Sequence, residues 1–142
     1  MGGAHAGHRG RAVRPDAATT TLSKQGAEDS RVKVYTWSEI PTVEVKSGAK
    51  GKNIDGEKAS ISLFEMAPGM EGDTHSHDNE QINMVLEGEL EYVSGSERKV
   101  LKAGQVVIFP PFAPHQVRNI SKSPAKHIGF LIPARKGGLQ KK

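Results

Sequence analysis

Gly69-Met-Glu-Gly-Asp-Thr-His75-Ser-His77-Asp-Asn-Glu-Gln81 is the stretch from which this chain of 142 residues is best read. It is preceded by a strand-like run, Ser60 to Met66, that ends at Ala67-Pro68-Gly69. It leads into a second run, Gln81 to Leu86, that ends at Gly88. In an extended chain, side chains two apart point to the same face. His75, His77 and Gln81 therefore share a face, and Glu80 points away. A β-bulge would exchange the places of Glu80 and Gln81. Two imidazoles followed by an oxygen donor make half of a metal site. A third imidazole, His115, follows Pro114 directly in Gly104-Gln-Val-Val-Ile-Phe-Pro110-Pro-Phe-Ala-Pro114-His115-Gln-Val-Arg-Asn119.

Outward from these segments the pattern is one of short strands between turn residues. Val32, Val34 and Tyr35 begin a strand-like run, and 47–58 reads as loop and hairpin with a turn at Asp55-Gly56. Further runs are Leu90–Val93, Lys99–Leu101, Val106–Phe109, His115–Val117 and Ile128–Ile132, with a turn over Asn119–Pro124. Strands of this number and spacing predict an all-β sandwich or barrel. Ser60–Met66 and Val106–Phe109 are apolar on both faces, which calls for cover outside the sheet. A partner subunit gives that cover, so a homodimer is expected. The alternative cover is the N-terminal segment folding back.

Residues 1–30 have almost no large apolar side chains and read as a disordered tail, in which His5 and His8 form no site. The folded domain is placed at 31–135 and a basic C-terminal tail at 136–142. The formal charge of +4 sits in the ends: net +1 over 1–30, −1 over 31–132 and +4 over 133–142. A nucleic-acid binder needs a basic folded face, so no nucleic-acid partner is expected. There is no cysteine, which excludes disulfides, thiolate metal sites and cysteine nucleophiles. The longest stretch free of charged residues, Ala103–Val117, is too short for a bilayer and is broken by prolines, so no membrane partner is expected. The N-terminal stretch lacks the apolar run of a secretory signal, and a cytoplasmic protein is expected.

The two segments resemble the paired motifs of the cupin superfamily. The first motif is Gly, five residues, His-x-His, three or four residues, Glu, six residues, Gly; Gly69, His75, His77, Gln81 and Gly88 keep that spacing. The second is Gly, five residues, Pro-x-Gly, two residues, His, three residues, Asn; Gly104, Pro110, Phe112, His115 and Asn119 keep it too. The departures are Gln81 for the usual Glu and Phe112 for the usual Gly. The likeness covers about 58–132. It implies a cupin jelly-roll barrel holding one divalent transition metal (iron, manganese, nickel, zinc or copper) on His75, His77, Gln81 and His115. Phe112 is expected to narrow the barrel mouth.

The first motif is most similar to those of pectin-degradation cupins, which process unsaturated uronates, and of bacilysin-pathway isomerase cupins, where Gln also stands at the ligand position. The uronate group carries an Asp, a Phe and a Pro-x-Arg on and after its last strand. Pro133-Ala-Arg135 keeps the last of these, while Gly129 and Leu131 stand where the Asp and Phe would be. Three imidazoles and an amide are all neutral, so a divalent ion among them keeps its full charge and polarises a substrate oxygen strongly. The expectation is a metal-dependent isomerase, tautomerase or lyase acting on a small carboxylate or carbonyl metabolite. Arg135, Asn83 and Tyr92 are the candidates to act on that substrate. The alternatives are a non-catalytic metal or small-molecule binder, or a dioxygenase. His127 is expected to be a satisfied or exposed histidine, and Glu65 and Arg118 surface charges.

Overall fold

The structure, a computed structural model, describes residues 31–141; the predicted disordered tail, 1–30, lies outside the described residues. By contacts the chain divides into Met1–Val34 and Tyr35–Lys142. The described part of the first unit is exposed and forms no strand, contrary to the strand-like reading of Val32 and Val34. β-branched residues favour a strand only when a neighbour offers pairing and burial.

The second unit begins with a 3-10 turn, Trp37–Glu39, and continues as nine strands. These are β1 (Val43–Lys46), β2 (Ala49–Asp55), β3 (Ser60–Met66), β4 (Glu80–Glu87), β5 (Glu89–Ser94), β6 (Glu97–Lys102), β7 (Val106–Phe109), β8 (Gln116–Arg118) and β9 (Ala125–Ile132). All pairings are antiparallel, in a six-stranded sheet ordered β1-β2-β3-β9-β4-β7 and a three-stranded sheet ordered β6-β5-β8. This is the jelly-roll arrangement. Among the described residues no helix is long and apolar enough to cross a membrane.

The stretch 47–58, expected to be loop and hairpin with a turn at Asp55-Gly56, is mostly β2, which makes hairpins with β1 and β3 and turns at Gly56. Gly51 there is not a breaker. A Cβ at that position would lie 2.5 Å from the Phe64 ring and 2.8 Å from Leu139, so glycine lets those side chains approach the backbone. The core between the sheets is Met66, Val85, Leu90, Tyr92, Leu101, Phe109 and Ala125. β4 shows how period-2 patterning builds it. Asn83 and Val85 face inward and are fully buried, while Ile82 and Met84 face outward and are part-exposed.

Two turns fix where the motif segments lie. Gly88 joins β4 to β5 with a φ of +75°, and a Cβ there would meet the Pro124 carbonyl at 2.8 Å. Phe112 has a φ of +67°, the left-handed conformation that explains why glycine is usual at this place in the motif. Its N–H donates to the His77 carbonyl at 2.7 Å and so ties the two motif loops together. The Phe112 ring is 70% exposed and does not line the cavity, so it does not narrow the mouth.

Candidate metal centre

The segment 69–77 is not a regular strand. It runs alongside β8, with Gly72 N–H donating to Val117 O (2.9 Å) and His75 and His115 exchanging both backbone hydrogen bonds (3.0 and 2.9 Å). Arg118 reinforces this seam. Part-buried rather than a surface charge, it pairs with Glu71 at 2.8 Å and with Glu91 of β5 at 3.2 Å. The motif asparagine, Asn119, is buried and donates to the carbonyls of Met66 and Ser123, which fixes the turn after β8.

This framework brings one ring nitrogen each of His75, His77 and His115 within 4.8 Å of one another. His115 is buried, His77 half-buried and His75 exposed at the open side. Phe109 stacks on His115, with centroids 4.6 Å apart and planes 14° from parallel, and holds that ring in place. Burial pushes His115 down to about 4, against the opposing hydrogen bond to the Ala113 carbonyl and with help from His75 and His77.

The hydrogen bonds set the tautomers. Nδ1 of His75 faces the Asp73 carbonyl (2.9 Å), Nδ1 of His77 that of Asn79 (3.1 Å), and Nδ1 of His115 that of Ala113 (2.9 Å). A carbonyl only accepts, so each Nδ1 carries the proton and each Nε2 keeps its lone pair. Gln81, from the start of β4, brings Oε1 to 3.0 Å from Nε2 of both His77 and His115. Its Nε2 donates instead to Asn83 Oδ1 at 3.3 Å. Acceptors thus face one another with no proton between them. Such an arrangement suits a cation, and the carbonyl partners are the second shell that orients metal-binding imidazoles. The donor set fits a divalent transition metal. Glu80, opposite Ile132, has the other parity, and the β4 irregularity comes later, between Val85 and Glu87.

The group opens on a cavity of about 440 Å³. Its walls include Phe64, Met66, Val117 and Leu131, and Arg135, Lys136 and Lys141 of the C-terminal segment border it. Residues read as a basic tail therefore line the cavity. That segment is tied down by Arg135 N–H donating to Ser60 Oγ (2.6 Å) and Asn79 Nδ2 donating to Pro133 O (2.5 Å). The Arg135 side chain is part-buried and its Nε has no hydrogen-bond partner among the described residues. Burial pulls its pKa down while Asp55 opposes.

Asn83 is buried beside Gln81, and Tyr92 lies deeper, away from the cavity lining. Gly129 stands opposite Asn83, and a Cβ there would come within 2.7 Å of Asn83 Oδ1. Asn83 thus fills the room an Asp at 129 would need. His127, expected to be satisfied or exposed, is a satisfied histidine that also reaches the cavity. It is buried, it borders the cavity, and its Nδ1 is 3.0 Å from the Tyr92 hydroxyl. Its inward parity with Gly129 and Leu131 on β9 was the available signal.

Fold and site together define a small jelly-roll barrel with a three-histidine cluster at its open side. The cupin domain family matches residues 62–129, and the chain is a member of the cupin superfamily. Solved structures agree on the fold. An RmlC-like cupin from Shewanella frigidimarina superposes with a TM-score of 0.67 at 23% identity, covering 72% of this chain and 91% of that one. KdgF from Halomonas sp. gives 0.69 at 20%, covering 74% and 96%. A predicted oxalate decarboxylase from Thermotoga maritima gives 0.63 at 19%, covering 71% and 99%. No curated protein matches the chain in sequence.

Proposed function

We propose that this cupin is a metal-dependent enzyme of the isomerase, tautomerase or lyase kind, acting on a small carboxylate with an enolisable carbonyl. The observation that carries the reading is the convergence of proton-free acceptors at His77, His115 and Gln81, with His75 beside them. These four residues would hold one divalent transition metal, with Gln81 in place of a carboxylate. When bound, the ion supplies Lewis-acid polarisation of a substrate oxygen, undiminished by any anionic ligand. The protein's own residues do the rest. Arg135, Lys136 and Lys141 at the cavity border attract and orient a carboxylate. Phe64, Met66, Val117 and Leu131 keep water from the reacting carbon. The fold relative from Thermotoga maritima is a predicted oxalate decarboxylase, named for a reaction of a small acid, which is in keeping with this reading.

The test is elemental analysis of the purified protein followed by a screen of small oxo acids with the metal found. His77→Ala should abolish stoichiometric metal, and unchanged content would refute the assignment. Gln81→Glu should retain or tighten metal binding; loss would place Gln81 outside the ligand set. Full metal without turnover of any oxo acid would indicate a binding protein instead.

The outer face of the six-stranded sheet supports the expected homodimer. Its register aligns Ile54, Ile61, Phe130, Ile82 and Ile108 in one row across five strands, with Leu63, Ile128, Met84 and Val106 in the next. Val106 and Ile108 are 53% and 57% exposed. The rows form a continuous apolar strip of the kind that makes the core of a homodimer interface. A second copy is the proposed occupant, since a flat apolar face can pair with itself about a two-fold axis. Light scattering should give about twice 15.3 kDa, and Ile108→Lys should give the monomer. A monomeric wild-type protein would overturn this and favour cover by the N-terminal segment.

A further inference from the structure

The site amide is the first member of a buried chain of polar groups that returns to the cavity. Gln81 Nε2 donates to Asn83 Oδ1 at 3.3 Å. Burial pushes the Tyr92 hydroxyl far above its ordinary range, so it stays protonated, and a side-chain hydrogen bond with Asn83 opposes this only in part. The hydroxyl meets His127 Nδ1 at 3.0 Å. Asn83, Tyr92 and His127 are all at least nineteen-twentieths buried, so no bulk water interrupts the chain. His127 Nε2 has no hydrogen-bond partner among the described residues, and the ring borders the same cavity as the three histidines.

Every link in this chain is an amide, a hydroxyl or an imidazole, and each can be satisfied in either of two directions. In one, Gln81 presents Oε1 to the histidine cluster and its N–H to Asn83. Asn83 then donates to Tyr92, Tyr92 donates to His127 Nδ1, and the neutral imidazole carries its proton on Nε2, towards the cavity. In the other, Gln81 turns its NH₂ to the lone pairs of His77 and His115. Asn83 then donates to Gln81, Tyr92 donates to Asn83, and His127 donates from Nδ1 to Tyr92, leaving a bare lone pair at Nε2. A mixed arrangement leaves two donors or two acceptors face to face inside the barrel, with a buried hydrogen bond unmade. The chain therefore favours reversal as a unit.

We propose that metal occupancy sets the direction of this chain, and that His127 is a substrate-binding residue whose Nε2–H is offered to a substrate oxygen only when the metal site is filled. A cation on the cluster requires Gln81 Oε1 and so selects the first arrangement; an empty cluster, rich in lone pairs, selects the second. The inference rests on the metal-binding reading above. It adds to it that the cavity distinguishes ligands by an acceptor oxygen remote from the metal. Leu131, opposite Gln81, and His127 are four residues apart on β9, roughly 13 Å of strand. That acceptor therefore belongs to the end of the substrate away from the metal. Burial keeps His127 neutral at pH 7, so the difference is one of tautomer and not of charge.

The experiment uses full-length protein labelled with ¹⁵N-histidine, and zinc ion as the probe. Long-range ¹H–¹⁵N spectra assign the tautomer of each ring at pH 7, after chelation and after one equivalent of zinc. Zinc should move His127 from the Nδ1–H to the Nε2–H form. In Tyr92→Phe, which cuts the chain but leaves the cluster intact, zinc should still bind and His127 should no longer respond; Asn83→Leu is the second cut. Zinc bound at the three histidines with an unchanged His127 tautomer overturns this inference alone. Failure of zinc to bind overturns the metal reading and this inference with it. A His127 response that persists in both cut variants also overturns it.

Discussion

Burial of His127 makes stability depend on pH, and His127→Asn isolates the effect. The folded ring is held down at about 4 from an ordinary 6.5, because burial beside Phe64 and Tyr92 disfavours the charged form. Above 6.5 the ring is neutral in both folded and unfolded chains, and its contribution is fully present. Between 6.5 and 4 the unfolded chain takes up a proton that the folded chain refuses, so stability falls as pH falls. Below 4 both forms are protonated and the loss levels off. The complete loss is on the order of 3 kcal/mol, and about 2 kcal/mol of it has occurred by pH 5. Asparagine removes the titration while its amide can still hydrogen-bond Tyr92 in either direction. The assay is urea denaturation of both proteins at pH 7 and pH 5, with chelator throughout so that metal occupancy is the same in each. The variant should be less stable at pH 7, having lost its ring contact with Phe64. The wild-type midpoint should fall further between the two pH values, by about 1 M urea for a domain of this size. Equal falls in the two proteins would refute the reasoning and show that His127 is solvated or already charged.

Gly129→Ala places a Cβ 2.7 Å from buried Asn83 Oδ1 and should cost about 1–3 kcal/mol, read as a lowered thermal midpoint. An unchanged midpoint would mean that Asn83 yields at no cost. Phe112→Gly relieves a left-handed backbone worth about 1–2 kcal/mol but adds roughly 0.5–1 kcal/mol of unfolded-chain entropy. A gain of up to about 1.5 kcal/mol in denaturant stability is expected, with no change in metal content because the ring lies outside the cavity. A clear loss of stability would show that the exposed ring makes contacts that matter.

Whatever depends on local spacing was legible in the chain of residues alone. Apolar runs closed by Pro and Gly marked Ser60–Met66 and Val106–Phe109 as strands with their observed limits, because turn residues punctuate the chain locally. Gly69, Gly88 and Gly104 marked the positive-φ corners, since a backbone that excludes Cβ leaves its trace in residue type. The same spacing put His75, His77 and Gln81 together, although the first two lie on an irregular segment held to β8 and not on a strand. Lysine and glycine in 47–58 showed the hairpin but hid how far β2 runs, because Gly51 answers to Phe64 and Leu139, residues distant in the chain. Only the tertiary structure could turn the basic end at 136–141 into a cavity wall, exchange an Asp at 129 for Asn83 across a strand pair, and join Tyr92 to His127 over thirty-five residues. Those decisions arise from which strands become neighbours. The energy of a buried hydrogen bond or a close contact has no counterpart in the sequence until the strands that carry its two halves are packed together.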